Sequence, residues 1–266
     1  MTSGRRRSDL GLTQIFAIAS NTFKEAVRSR IFYILLAFAF CLLLFSSVMG
    51  FLAVGTIHRV ILDMGLSTVS YFSAMTAIFV GIGLIYQEIE RKTIYNILSK
   101  PMSRSRFLIG RYLGLMAVLL VNLVAMILAL ACVLLVFGGF TTRIFDAAGY
   151  IYLELLIITA VALFFSSITS PVVSALCTVA FYLIGHTSSA LPELLAPSLA
   201  SPVARQLVMG VYHVLPDLNL LNINNLVAHD IPEAPGFTVR AVLYAVLMAA
   251  MLLTAATLCF RRRDLV

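Results

Sequence analysis

The chain has 266 residues, of which 61% are apolar and 12% charged, with a mean hydropathy of +1.01 and a net charge of +7. Soluble domains carry about 25% charged residues, so the composition excludes an ordinary water-soluble fold. Its apolar groups exceed what one core can hide, and a bilayer must supply the apolar solvent. The positive charge does not point to nucleic acid, because the basic residues cluster at the ends of apolar runs and form no stripe with interleaved aromatics.

In chain order, Arg5-Arg6-Arg7 ahead of Leu10 to Ser20 imitates a targeting signal. Thr13 and Gln14 interrupt its apolar core, and Lys24, Glu25, Arg28 and Arg30 follow where small cleavage-site residues belong, so the segment reads as mature protein. Over 12–30, Leu12, Ile15, Phe16, Ile18, Ala19, Phe23, Ala26 and Val27 share one face of a helix. Gln14, Asn21, Lys24, Glu25 and Arg28 share the other. That pattern predicts an interfacial elbow helix in the headgroup layer, leading into the first span at Arg30–Ile31.

Six apolar segments are long enough to cross a bilayer, near 31–55, 65–86, 112–138, 149–168, 171–190 and 237–260. Each must be helical, because lipid offers an open backbone no partner. The expected fold is thus an all-α polytopic membrane protein forming one transmembrane domain over 1–266. Lys and Arg set the orientation: six in 1–30, six in 87–111 and three in 261–266, against Arg59, Arg143, Arg205 and Arg240 elsewhere. That bias places both termini and the 87–111 loop in the cytoplasm, and 191–236 outside.

The chain has no Trp, so Tyr is expected to supply the aromatic belts, with Tyr33, Tyr71, Tyr86, Tyr112, Tyr150 and Tyr152 near span ends. Cys41, Cys132, Cys177 and Cys259 lie inside apolar runs without metal-type spacing, and read as small buried apolar residues. In 191–236, Ser201-Pro202 starts and Pro216 stops a short amphipathic helix carrying Val203, Leu207, Val208, Val211, Tyr212 and Leu215 on one face. Pro197, Pro202 and Pro216 keep this segment from spanning, and a re-entrant path requires burial by protein.

The charged segment from Gln87 to Gly114 reads as helix, turn, helix. Thr93 to Leu98 form a short amphipathic helix, Ser99-Lys100-Pro101 breaks it, and Ser103 or Ser105 caps the helix of the third span. A short helix held between two spans acts as a lever, since a push on it moves both. Here Glu88 and Glu90, Thr93, Leu98-Ser99, Pro101, Ser103-Arg104, Phe107 and Gly110-Arg111 resemble the pattern between the second and third spans of ABC-2 type ABC transporter permeases. The chain departs from it at Lys92, where the family often has Gly. Within that family, NTFKEAVRSRIFY and VLPDLNLLNINN look like the branch described as multicopper-enzyme-maturation permeases.

The resemblance implies a permease subunit, itself not an enzyme, in the plasma (bacterial inner) membrane, most often an exporter. ATP and magnesium would sit on a separate ABC ATPase, expected as a dimer. This chain has no Gly-x-x-x-x-Gly-Lys-Ser/Thr run of its own. A second permease chain, identical or related, would complete the path among membrane lipids. The cytoplasmic coupling helix would meet the ATPase through Thr93, Ile94, Tyr95, Leu98, Pro101 and Phe107, with Glu88, Glu90, Arg91 and Arg104 orienting the contact.

Three further features stand out. Glu154, in the fourth span, is either a bundle-facing carboxyl or a contact for substrate or a proton, and with Asn122 in the third span it marks a possible substrate path. Gly110 and Gly114 form a Gly-x-x-x-Gly that permits close helix approach. His58, His186, His213 and His229 fall on or near the external side without ligand spacing, so no metal site is expected, nor any catalytic Ser/His/Asp arrangement. Two alternative functions remain: a membrane enzyme using Glu154, His186 and the external histidines on a lipid-like substrate, and a non-transporting assembly factor.

Overall fold

The computed structural model describes residues 3–52, 57–90, 104–137, 139–187, 217–232 and 234–262. Among the described residues every regular element is helical: α1 (Ser3–Val27), α2 (Arg30–Leu52), α3 (Ile57–Glu90), α4 (Arg104–Val136), α5 (Arg143–Ile168), α6 (Pro171–Thr187), α7 (Asn224–Ala228) and α8 (Phe237–Arg262), with a single 3-10 turn at Leu218–Leu221. This is the all-helical polytopic membrane architecture that the composition demands. Helices α2, α3, α4, α5 and α8 each contain a stretch long and apolar enough to cross a membrane. Helix α6 is apolar, with 17 residues among those described; at 1.5 Å per residue these cover about 26 Å of a hydrocarbon core of about 30 Å.

Several helices begin before the apolar windows do. α3 starts at Ile57 and carries His58, Arg59 and Asp63 in its first two turns, and α4 starts at Arg104, carrying Arg106 and Arg111. α5 starts at Arg143 rather than near 149. Hydropathy reports where lipid contact is favourable, whereas a helix runs on until a backbone signal stops it. The α5–α6 joint has such a signal. Thr169 is extended (φ −115°, ψ 178°), and Pro171 opens α6 at the first helical position, where its missing N–H costs nothing. The Ser166 and Ser174 hydroxyls, 3.0 Å apart, pin the two helices together beyond the bend.

α5 is the hub of the bundle: α3, α4, α6 and α8 all pack on it, and Leu155, Ile157, Ile158 and Ala160 are fully enclosed. α2 packs on α3 at the periphery. It turns Ile34, Phe38 and Leu44 outward, as α8 does with Val239, Leu247 and Met251. In a bilayer such faces meet acyl chains.

Two sequence expectations are corrected. Cys41 and Cys132 are exposed rather than buried, and Cys177 and Cys259 are only partly covered; for an apolar thiol, lipid serves as well as a core. Tyr112, Tyr150 and Tyr152 do not form an outward belt. Tyr112 Oη donates to the Leu156 carbonyl (3.1 Å) and Tyr152 Oη to the Met116 carbonyl (3.4 Å), two reciprocal links between α4 and α5. Tyr150 Oη lies 3.0 Å from Thr238 Oγ1 of α8. A phenol inside an apolar bundle needs a partner for its hydroxyl, and these find one on the next helix. Tyr33 does face outward.

Candidate functional site

Two constructions at different levels of the bundle bear on function. The first joins α1 to α4. A Cβ added at Gly110 would stand 2.9 Å from both the Ile15 carbonyl oxygen and Ile18 Cβ, and one at Gly114 would stand 2.6 Å from the Ala19 carbonyl oxygen and 2.7 Å from Thr22 Cβ. The Gly-x-x-x-Gly of α4 is therefore the seat of α1, in backbone contact that no larger residue permits. Thr22 and Ala26 are buried on the seated face, while Phe16, assigned to that face by periodicity, is 76% exposed.

Beside the seat, Arg111 is 1% exposed, and its guanidinium lies 5.9 Å from the centre of the Phe107 ring. Arg106 Nη1 reaches Gln14 Oε1 at 3.5 Å. The amino-terminal turns of α4 thus carry three arginines at 104, 106 and 111; Arg106 reaches across to α1, and Arg111 is buried beside Phe107.

The second construction is a polar cluster between α3, α5 and α6. Glu154 lies eleven residues into α5, about 16 Å from its start. This is deeper than the sequence window suggested, because α5 begins earlier than the apolar run. Its side chain is enclosed (1% exposed). Oε2 accepts from Ser70 Oγ of α3 at 3.2 Å, and Oε1 faces His186 Nε2 of α6 at 3.5 Å. Two aromatic rings close the cluster: Tyr182 lies against the His186 imidazole with centroids 4.5 Å apart, and Tyr71 meets Tyr182 edge-on at 6.1 Å. Glu154 Oε1 has no hydrogen-bond partner within the described structure. Buried polar atoms are normally satisfied, so an incompletely bonded carboxyl here is a focal point of the bundle interior.

One helical turn along α3, Ser73 Oγ contacts Met126 Sδ at 3.8 Å, and Asn122 Nδ2 contacts the same sulfur at 3.7 Å. Glu154 and Asn122, named together from sequence, are thus both buried and both linked to neighbouring turns of α3, through Ser70 and Ser73. His186 was grouped with Glu154 only in the membrane-enzyme alternative, and Ser70, Ser73 and Tyr182 were not legible in the sequence. Serines and tyrosines inside apolar runs carry no sign of which helix they will face.

The carboxyl-terminal stretch 217–228 closes the cluster. Asp217 accepts from the Asn219 backbone N–H (3.0 Å) and Asn222 Oδ1 from that of Asn224 (3.2 Å), two side-chain caps that bend the chain back on itself. The bend buries Leu218, Leu221 and Ile223. Leu218 sits on Gly185, where an added Cβ would lie 2.7 Å from its side chain.

Of the other residues singled out by sequence, Glu88 and Glu90 lie on the last turn of α3 and Arg104 begins α4. Arg91, Thr93, Ile94, Tyr95, Leu98 and Pro101 fall outside the described residues, as do the helix expected after Ser201 and His213. His58 lies against Gly139, and His229 is exposed. Among the described residues no group of three or more His, Cys, Asp or Glu is placed to hold a metal ion.

The family described as ABC-2 family transporter protein matches residues 16–265, from within α1 to beyond Arg262, the last residue of α8. The chain belongs to the ABC-2 transporter family. No curated protein matches it. ABC-2 permeases are the membrane subunits of transporters rather than catalytic chains. The whole Glu154 cluster lies within the matched region, as does the seat of α1 except for Gln14 and Ile15.

Proposed function

We propose that this ABC-2 family chain is the permease subunit of an ATP-driven exporter, coupled to a separate ABC ATPase through the 87–111 segment. The observation that carries this reading is the continuity of the flanking helices. α3 runs unbroken to Glu90 and α4 restarts at Arg104, so only thirteen residues join two long helices of the bundle core. A displacement of that short connection is passed to α3, which bears Ser70 and Ser73, and to α4, which bears Asn122 and the seat of α1. In this reading Ile94, Tyr95 and Leu98 pack on the ATPase, and Glu88, Glu90, Arg91 and Arg104 orient it. Both termini lie on the ATPase side, and a second permease chain completes the pathway. Glu154 and Asn122 mark the path taken by the substrate between helices. The narrower likeness of 21–33 and 214–225 to multicopper-enzyme-maturation permeases belongs to the same reading.

The test is co-purification in mild detergent with candidate ABC ATPase subunits. A stable complex is expected, and replacing Leu98 by Asp should release the ATPase while leaving the permease folded. Failure to recruit any ATPase would contradict the reading.

A further inference from the structure

A cleft of about 620 Å³ opens between α5, α7 and α8, apart from the Glu154 cluster. Its floor is one face of α5, carrying Arg143, Asp146, Gly149, Tyr150 and Leu153 at helical spacing. Ile223, Leu226 and Val227 form one wall, and Thr238 and Val242 form the other. The depth of the cleft is thus apolar, while its charged groups gather at the first turn of α5.

Arg143 is held in place. Its Nη1 donates to the Ile231 carbonyl at 2.9 Å and lies 3.1 Å from Asp230 Oδ1. Asp230 itself adopts φ +55°, a backbone conformation that only a few residue types accept readily, and its side chain is 88% exposed. Both contacts leave from one nitrogen, Nη1, of a residue that lines the cleft. Asp146 follows one helical turn later on the same face. Side chains three apart on a helix stand about 5–6 Å from each other at Cβ. The rim therefore carries a guanidinium already paired on one side with Asp230 and, a headgroup's length away, the Asp146 carboxylate, beside an apolar slot.

α5 and α8 are each long and apolar enough to cross a membrane, which sets the apolar part of the cleft beside acyl chains. We infer that the cleft binds one phosphoethanolamine lipid. Its phosphate bonds to Arg143, its primary ammonium to Asp146, and an acyl chain lies along Leu153, Leu226 and Val242. The opposed charges select a zwitterionic headgroup over an anionic one, and the small exposed carboxylate suits an ammonium that donates hydrogen bonds better than a quaternary amine. This inference rests on membrane location alone and stands or falls independently of ATPase coupling.

The test is thermal unfolding of the purified chain in detergent, supplemented in turn with phosphatidylethanolamine, phosphatidylglycerol, phosphatidylcholine or diacylglycerol. Native mass spectrometry of the same samples counts retained lipid. Phosphatidylethanolamine should raise the unfolding midpoint and be retained about tenfold over the others, the ratio expected of a single well-placed polar contact. Asp146→Asn, which leaves the Arg143 tether untouched, should abolish the preference while keeping the lipid-free midpoint. Arg143→Gln should abolish retention of every phospholipid. Equal retention of all four lipids, retention of none, or an unchanged preference in Asp146→Asn would each overturn the inference.

Discussion

The seat of α1 and the Glu154 cluster solve the same problem, holding helices together in lipid, by opposite means. At the seat, two glycines let backbone meet backbone, and the contact is short and intolerant of added volume. At the cluster, contact is made by a carboxyl, a hydroxyl, an imidazole and two phenol rings, with one carboxyl oxygen left without a hydrogen bond. Close packing of small residues has one good arrangement. A polar cluster can exchange partners at modest cost, because inter-helix hydrogen bonds in membranes average only about 0.6 kcal/mol. The seat is suited to transmit displacement and the cluster to respond to it.

Substitutions at the seat, at the cluster and between α4 and α5 test this contrast. The largest effect is expected from Gly114→Leu, whose side chain must displace the Ala19 carbonyl and Thr22. A loss of about 3 kcal/mol or more, read as a collapse of the folded fraction in detergent, is expected. Leu218→Ala should cost about 2–3 kcal/mol, because it empties the position that closes the cluster against Gly185. Its effect should appear in the unfolding midpoint and in faster hydrogen exchange of α6, with α1 unaffected. Glu154→Gln keeps the volume and the Ser70 contact while removing the ionisable carboxyl that faces His186. A stability change within about 1 kcal/mol is expected, with a large loss of transport-linked function; preserved function would leave Glu154 a structural residue. The smallest effect is assigned to Tyr112→Phe and Tyr152→Phe, about 0.6 kcal/mol each. A double-mutant cycle of those two should show coupling if the links act as one clasp between α4 and α5.

The all-helical membrane fold was legible from the sequence because apolar runs of twenty residues permit little else in a bilayer. Helix ends were less legible: Arg104, Arg143 and Ile57 begin helices inside polar sequence, where hydropathy falls but no backbone stop occurs. The Gly-x-x-x-Gly at 110–114 announced a close approach without naming its partner, since spacing describes one surface and not the helix that will cover it. Glu154 was conspicuous as a carboxyl in an apolar run. Its meeting with His186 depends on how far α6 runs after the bend at Thr169–Pro171, and that is a property of three-dimensional packing. The three tyrosines were misjudged for a related reason: proximity to a span end does not say whether a ring turns to lipid or to the next helix.

The most direct test of the coupling claim is the ATP hydrolysis rate of the ABC ATPase alone, with this chain, and with a variant carrying Glu88→Lys and Arg104→Glu, all reconstituted in the same lipid. The wild-type chain is expected to form a complex and change the rate, and the charge-reversed variant to return it to that of the ATPase alone. A rate indifferent to the wild-type chain, in a preparation where the chain is folded, would contradict the coupling claim.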